Sequence, residues 1–111
     1  MATYSNLYID QGSDFSFVVD VTPTVGSIDL SNHTSRGQLR KSYTSTNAVD
    51  FTLSIDNTKK EVNASLTSAQ TSLIKAGRYV YDIELLSGDS PPIVKRVVEG
   101  QADITPRVTV G

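Results

Sequence analysis

The chain has 111 residues and a net charge of −2, with ten lysines and arginines against twelve aspartates and glutamates. This length suits one domain with one modest core. The near balance of charge argues against non-specific binding to nucleic acid, which needs a basic surface, and gives no reason to expect a membrane partner. Because there is no cysteine, a disulfide framework and a thiolate metal site are excluded, as fits a protein made in a reducing cytoplasm.

The N-terminal stretch lacks the basic and apolar regions of a signal peptide, and no apolar run approaches the ~20 residues of a membrane-spanning helix. No internal repeat or linker interrupts the chain. We therefore expect residues 1–111 to form a complete single domain.

Short segments with alternating apolar residues, separated by turn signals, predict seven or eight β-strands. Four residues on one face mark the strand over 48–55, namely Val49, Phe51, Leu53 and Ile55. Gly100 is predicted to form a bulge in the last long strand. In chain order the prediction is strand 7–10, strand 14–21, turn 22–26, an extended segment near Ile28 and Leu30, strand 35–43, strand 48–55, hairpin turn 56–59, strand 60–66, helical turn 67–76, strand 78–86, loop 87–92, strand 93–100 and an extended tail.

The single predicted helical piece begins at Thr67. Thr67 and Gln70 have the T-x-x-Q spacing of a capping box, in which each side chain bonds the other residue's backbone N–H. Gly77 is predicted to end the turn in a left-handed conformation. Because so short a helix is unstable alone, it should be a local corner packed through Leu73 or Ile74.

A strand end, a capped turn, a glycine and an alternating strand, in this order, are typical of the corner between strands E and F of an immunoglobulin-like sandwich. Tyr79 stands at the tyrosine-corner position, and Tyr81 stands where antibody domains have their second conserved cysteine. The alternative is that Tyr79 is an ordinary half-buried strand aromatic. With no cysteine and no tryptophan, the chain is predicted to be an all-β, immunoglobulin-like sandwich of seven or eight antiparallel strands, but not an antibody-type domain.

A polar stripe is the candidate interaction surface. Alternation places polar residues of strand 35–43 on one face, with acidic and basic partners on the two later long strands. The surface is either a solvated face with cross-strand pairs or a contact surface for another copy or a neighbouring protein, where arginine is favoured. Its predicted members are Arg36, Gln38, Arg40, Asp82, Glu84, Arg96 and Glu99.

The sequence offers no set of catalytic or metal-binding residues. His33 is the only histidine and lies in a polar loop, so a zinc site is not predicted. Asp10, Asp14 and Asp29 could gather at one end of a sandwich, which is the less favoured alternative. No calcium-loop, nucleophile-elbow or phosphate-loop motif occurs. We expect no enzyme activity and no cofactor.

Three segments carry a family resemblance: LYIDQGSDF at 7–15, RGQLRKSY at 36–43 and SLTSAQTSLIKAGRYVYDIE at 65–84. In this order they resemble small immunoglobulin-like virion proteins of tailed bacteriophages, especially the large contractile-tailed phages of marine bacteria. Related domains occur in tail, baseplate and fibre proteins. The resemblance spans nearly the whole chain, and the closing Glu99-Gly100 and Thr105-Pro106 also fit it.

The resemblance implies a non-enzymatic structural protein of the virion, assembled in the host bacterial cytoplasm. Its expected partners are other virion proteins and further copies of itself, with no nucleic acid, membrane or small-molecule substrate. Residues 101–111 would either complete the domain's own sheet or pair with the sheet edge of a neighbour. The alternative function is a module that recognises host-surface glycans through Tyr4, Tyr8 and Tyr43.

Overall fold

Two β-sheets packed face to face make up the computed structural model, which describes residues 3–26, 28–42 and 47–108. Short helices follow the third and seventh strands. In chain order the elements are β1 (Thr3–Tyr4), β2 (Leu7–Asp10), β3 (Phe15–Asp20), α1 (Thr22–Val25), β4 (Thr34–Arg40), β5 (Ala48–Asp50), β6 (Thr52–Asp56), β7 (Glu61–Leu66), α2 (Ser68–Ser72), β8 (Gly77–Leu86) and β9 (Val94–Thr105).

The strand order confirms an all-β sandwich of the immunoglobulin-like kind. The larger sheet has the order β1-β9-β8-β4-β5, with β2 also pairing β9, and the smaller sheet has the order β3-β7-β6. The prediction that all strands are antiparallel was wrong, because β1 and β2 run parallel to β9. Thr3 lies opposite Val98 and Leu7 opposite Ala102, so both segments follow β9 in a single register. Alternation of apolar residues reports which face is buried but not strand direction.

The core lies between the two sheets and takes the inward-facing residues of nearly every strand. Ile9, Leu39, Val62 and Ile83 are each almost fully buried. Both members of the predicted Leu30 and Ile28 pair lie outside any strand, with Leu30 buried and Ile28 exposed.

An aromatic cluster joins the two sheets across the core. Phe17 of β3 and Tyr81 of β8 meet edge to face with ring centroids 5.9 Å apart, and Phe51 contacts both rings. Antibody domains place their inter-sheet disulfide between the corresponding strands. Here aromatic packing links the sheets at that place in a chain without cysteine.

The predicted strand over 48–55 is divided between the sheets. β5 pairs β4 in the larger sheet, whereas β6 pairs β7 in the smaller one. The chain crosses at Phe51, which is buried and donates its backbone N–H to the carbonyl oxygen of Gly37 at 3.1 Å. Inward-facing residues continue to alternate with outward-facing ones through the crossing, because β5 and β6 border the same core. The sequence pattern therefore does not reveal the change of sheet.

Two predictions about glycine and turns were also wrong. The bulge of β9 lies at Val97, where the register against β8 shifts between Ile83 and Glu84, and not at Gly100. At Gly100 a side chain would overlap the carbonyl oxygen of Ser5 and meet its carbonyl carbon at 2.8 Å, so glycine allows a close backbone approach. The turn over 22–26 contains the helix α1, because a proline in the first turn has the φ angle that a helix needs.

The capping box predicted at the start of α2 is confirmed. The Thr67 hydroxyl accepts from the Gln70 backbone N–H at 3.2 Å, and the Gln70 side chain accepts from the Thr67 N–H at 2.9 Å. Ile74 is buried and Leu73 exposed, so the corner packs through the former. The helix ends at Leu73, and Gly77, at φ +140°, instead opens β8, because the bend from corner to strand falls there.

Removing the cap tests this corner. Thr67→Ala is expected to lower the free energy of unfolding by about 1 kcal/mol, since it leaves a helix N–H without its acceptor. Ser68→Ala, at the exposed neighbouring position, is the matched control and should change stability by less than ~0.5 kcal/mol. Urea denaturation measures both variants, and equal midpoints would show that the cap contributes nothing.

Candidate functional site

The two tyrosines singled out by the sequence each hold a backbone segment through a hydroxyl bond. The Tyr79 hydroxyl donates to the carbonyl oxygen of Lys75 at 2.8 Å, which is the upstream bond of a tyrosine corner. The buried Tyr81 hydroxyl donates to the carbonyl oxygen of Ser5 at 2.6 Å. With the capping box, the Tyr79 bond holds the E-to-F corner, whereas the Tyr81 bond holds the segment between β1 and β2; both are structural contacts.

The residues of the predicted polar stripe do gather on the outer face of the larger sheet. They line a shallow groove of about 510 Å³ that crosses four strands. We call this surface the charged face; it holds three arginines, four carboxylates and one glutamine: Arg36, Gln38, Arg40, Asp50, Asp82, Glu84, Arg96 and Glu99.

Strand register arranges most of the charged face in two rows. The first row runs from Asp50 of β5 through Gln38 of β4 and Asp82 of β8 to Glu99 of β9. The second row contains a glutamate between two arginines, in the order Arg36, Glu84 and Arg96. A row that is mostly acidic therefore lies beside a row that is mostly basic.

Ion pairs connect these side chains within and between the rows. The Arg36 Nε donates to Glu84 Oε1 at 2.7 Å. Arg96 reaches from the second row to the first, with its Nε 3.3 Å from Asp82 Oδ2 and its Nη1 3.2 Å from Glu99 Oε2. The bond to Glu99 is the main cause that raises the pKa of the Arg96 guanidinium.

The amide of Gln38 links the remaining members. Its Nε2 donates to Asp50 Oδ1 at 2.8 Å, and its Oε1 accepts from Arg40 Nη2 at 3.0 Å. The sequence did not predict Asp50 as a member of the charged face. Residues 48–55 read as one strand, and the pattern does not show that its first part pairs β4. The outward alternation of Asp50 next to inward Val49 and Phe51 was the available signal.

Asp82 lies in the first row, between Gln38 and Glu99. Partial burial is the largest influence on its carboxyl group and raises its pKa, the nearby Arg96 opposes this, and the charges of Glu84 and Glu99 add to the increase.

Among the described residues, no cluster of three or more histidines, aspartates or glutamates is arranged to hold a metal ion. Asp14 accepts from the Ser68 backbone N–H and Asp29 from that of Ser31, near opposite ends of β7, so the aspartates considered from the sequence do not converge. No helix in the described part of the chain is long and apolar enough to cross a membrane.

Comparison with known proteins adds little to this geometry. No protein-family model matches the chain, and no curated protein matches it. Of the solved structures, 120 chains match, and one is an internalin-like protein of Listeria monocytogenes, with 13% sequence identity and a TM-score of 0.42. That match covers 96% of this chain but 28% of the internalin-like protein, so the chain spans less than a third of its length. The likeness carries no argument about function.

Proposed function

We propose that this protein is a non-enzymatic structural component of a bacteriophage virion, and that its charged face binds a neighbouring protein in the particle. The observation that carries the proposal is the charged face itself, a broad groove with three arginines and four carboxylates in strand register. The segments that resemble phage virion proteins include most of β4 and β8, and these two strands supply five of its eight residues.

The energetics of the charged face favour binding over a role in stability. The Arg36 side chain is 61% exposed and that of Arg96 is 49% exposed. Ion pairs this exposed contribute between about zero and 1 kcal/mol to folding. Arginine is enriched at protein interfaces, and rows of opposite charge fix the orientation of a partner. Many copies in a symmetric particle would convert a modest contact into stable attachment.

Replacing two arginines tests the proposal. We expect the double variant Arg36→Ser, Arg40→Ser to fold normally but to enter phage particles at least ~10-fold less, which corresponds to about 1.4 kcal/mol of binding free energy. The measurement is the amount of the chain in purified particles, with circular dichroism of the isolated protein as the folding check.

A variant with the same loss of charge is the matched control. The double variant Arg78→Ser, Lys59→Ser removes two exposed cations, one on the same sheet outside the groove and one on the turn after β6. It should enter particles as the unmodified chain does. Normal incorporation of the Arg36 and Arg40 variant would instead mean that the charged face is only a solvated surface.

A glycan-recognition module is the second candidate. Tyr4 and Tyr8 point outward from the edge of the larger sheet with 63% and 69% exposure, and Tyr4 lies opposite Glu99 of the charged face. Exposed aromatic rings beside hydrogen-bonding side chains suit a sugar. The third tyrosine of this hypothesis, Tyr43, lies outside the described residues. Binding to a glycan array that is lost in Tyr4→Ala and Tyr8→Ala would favour this function.

A further inference from the structure

Within the described part of the chain, β3 is an edge strand with one unpaired side. β3 forms a regular six-residue antiparallel ladder with β7 on one side, from Phe15 opposite Leu66 to Asp20 opposite Glu61. Its other side ends the order β3-β7-β6. The N-terminal strand segments lie in the larger sheet and leave this edge without a neighbour.

This edge lacks the features by which proteins prevent edge-to-edge pairing, such as proline, lysine or a bulge. Its one charged residue, Asp20, lies at the end and bonds Thr22. Val18 is 56% exposed on the outer face of the sheet. Phe15 and Phe17 face the core of the domain yet are only partly buried.

The other described edges are less suited to pairing. The edge of β1 and β2 is interrupted at Ser5 and Asn6, where the Asn6 side chain, rather than a strand partner, accepts from the backbone N–H of Gln101. β5 has three residues, and β6 lies against β4 where the chain crosses between sheets. The edge of β3 is thus the longest regular one.

We propose that two copies of this chain pair through their β3 edges, antiparallel and about a two-fold axis, to join their smaller sheets into one continuous sheet. The segment is complementary to itself. With Phe17 opposite its own copy, Phe15 faces Val19 and Ser16 faces Val18; with Val18 opposite its own copy, Phe17 faces Val19. With Phe17 opposite its own copy, Asp20 would face Asp14, so that register opposes two like charges. With Val18 opposite its own copy, Asp20 faces Ser16 and no two charges meet, which favours this register. A two-fold contact closes at the dimer.

This contact is separate from the charged face, which lies on the other sheet. A failure of the Arg36 and Arg40 test would leave the β3 proposal standing, and the reverse also holds. A six-residue strand pair is small for a stable interface, so the dimer should dissociate on dilution and be strengthened within an assembly.

Sedimentation velocity over a concentration series tests the dimer. The unmodified chain should form dimers as concentration rises, and Val18→Lys should weaken dimerisation at least ~10-fold, because two lysines meet near the axis. The matched control is Asn63→Lys, on the exposed face of β7 directly beside Val18 but away from the edge. A monomer at every concentration would overturn the proposal, as would equal weakening by both variants.

Disulfide trapping gives an independent readout and identifies the register, since the chain has no cysteine of its own. On mild oxidation Val18→Cys alone should form a linked dimer if Val18 faces its own copy. If instead Phe17 faces its own copy, Ser16 lies opposite Val18, and a mixture of Ser16→Cys and Val18→Cys chains should cross-link. In each case the facing Cα atoms lie within disulfide range. If instead Val18→Cys links only to Ser54→Cys on β6, the assembly is an open chain and the two-fold dimer is wrong.

Discussion

Truncation of the chain after Gly100 is expected to abolish folding. The lost residues include the second half of β9, which pairs β8 on one side and β2 on the other. Ala102 and Ile104 in this half are almost fully buried. Burial of one Ile side chain contributes ~1.5–3 kcal/mol, and the loss of two strand ladders adds to this. Since a domain is stable by about 5–15 kcal/mol, the truncated chain should be unfolded.

Truncation after Thr105 is the matched control. It keeps all of β9 and removes, among the hydrogen bonds described, the one from the Arg107 backbone N–H to Gln11 Oε1. The melting curve should shift by only a few degrees. Circular dichroism and size-exclusion chromatography compare the two chains. A folded, soluble protein ending at Gly100 would contradict the structural role of residues 101–105, which the structure places in the domain's own sheet.

The second large effect is expected at the aromatic cluster between the sheets. Tyr81→Ala should lower the free energy of unfolding by about 3–5 kcal/mol, because it removes a buried ring that contacts Phe17 and Phe51 and leaves a cavity. Tyr81→Phe keeps the ring and removes only the hydroxyl that bonds Ser5, so it should cost about 1 kcal/mol. Equal losses in the two variants would show that the hydroxyl, not the ring, joins the sheets.

The same residue makes stability depend on alkaline pH. Burial raises the pKa of Tyr81 to about 12 from its ordinary value of 10.0. The stabilisation is fully present below pH 10.0 and is lost as pH rises towards 12, because in that range the unfolded chain releases the proton and the folded chain retains it. Tyr81→Phe lacks this component. The free energy of unfolding of the unmodified chain, relative to that of Tyr81→Phe, should therefore fall between pH 9 and pH ~12. A relative stability that does not change with pH would show that burial does not shift the pKa of Tyr81.

Features set by neighbouring residues could be predicted from the sequence. The capping box depends on Thr67 and Gln70, three positions apart, and the tyrosine corner depends on a short segment before Tyr79. Alternation correctly assigned the buried and exposed faces of β4 and β8, so the charged face was predicted apart from Asp50.

Features set by distant segments could not be predicted in this way. Alternation is the same in parallel and antiparallel strands, so the direction of β2 beside β9 was missed. It also continues through Phe51, where the chain changes sheets. The need for glycine at position 100 arises from the Ser5 backbone, 95 residues away in the chain and adjacent in space.

Immunogold electron microscopy of purified phage particles, with an antibody raised against this chain, tests the proposed function most directly. The proposal predicts regular labelling at one location, repeated on every particle, since a structural protein occupies symmetric sites. Unlabelled particles, with the chain present only in the soluble lysate of infected cells, would contradict a place in the virion.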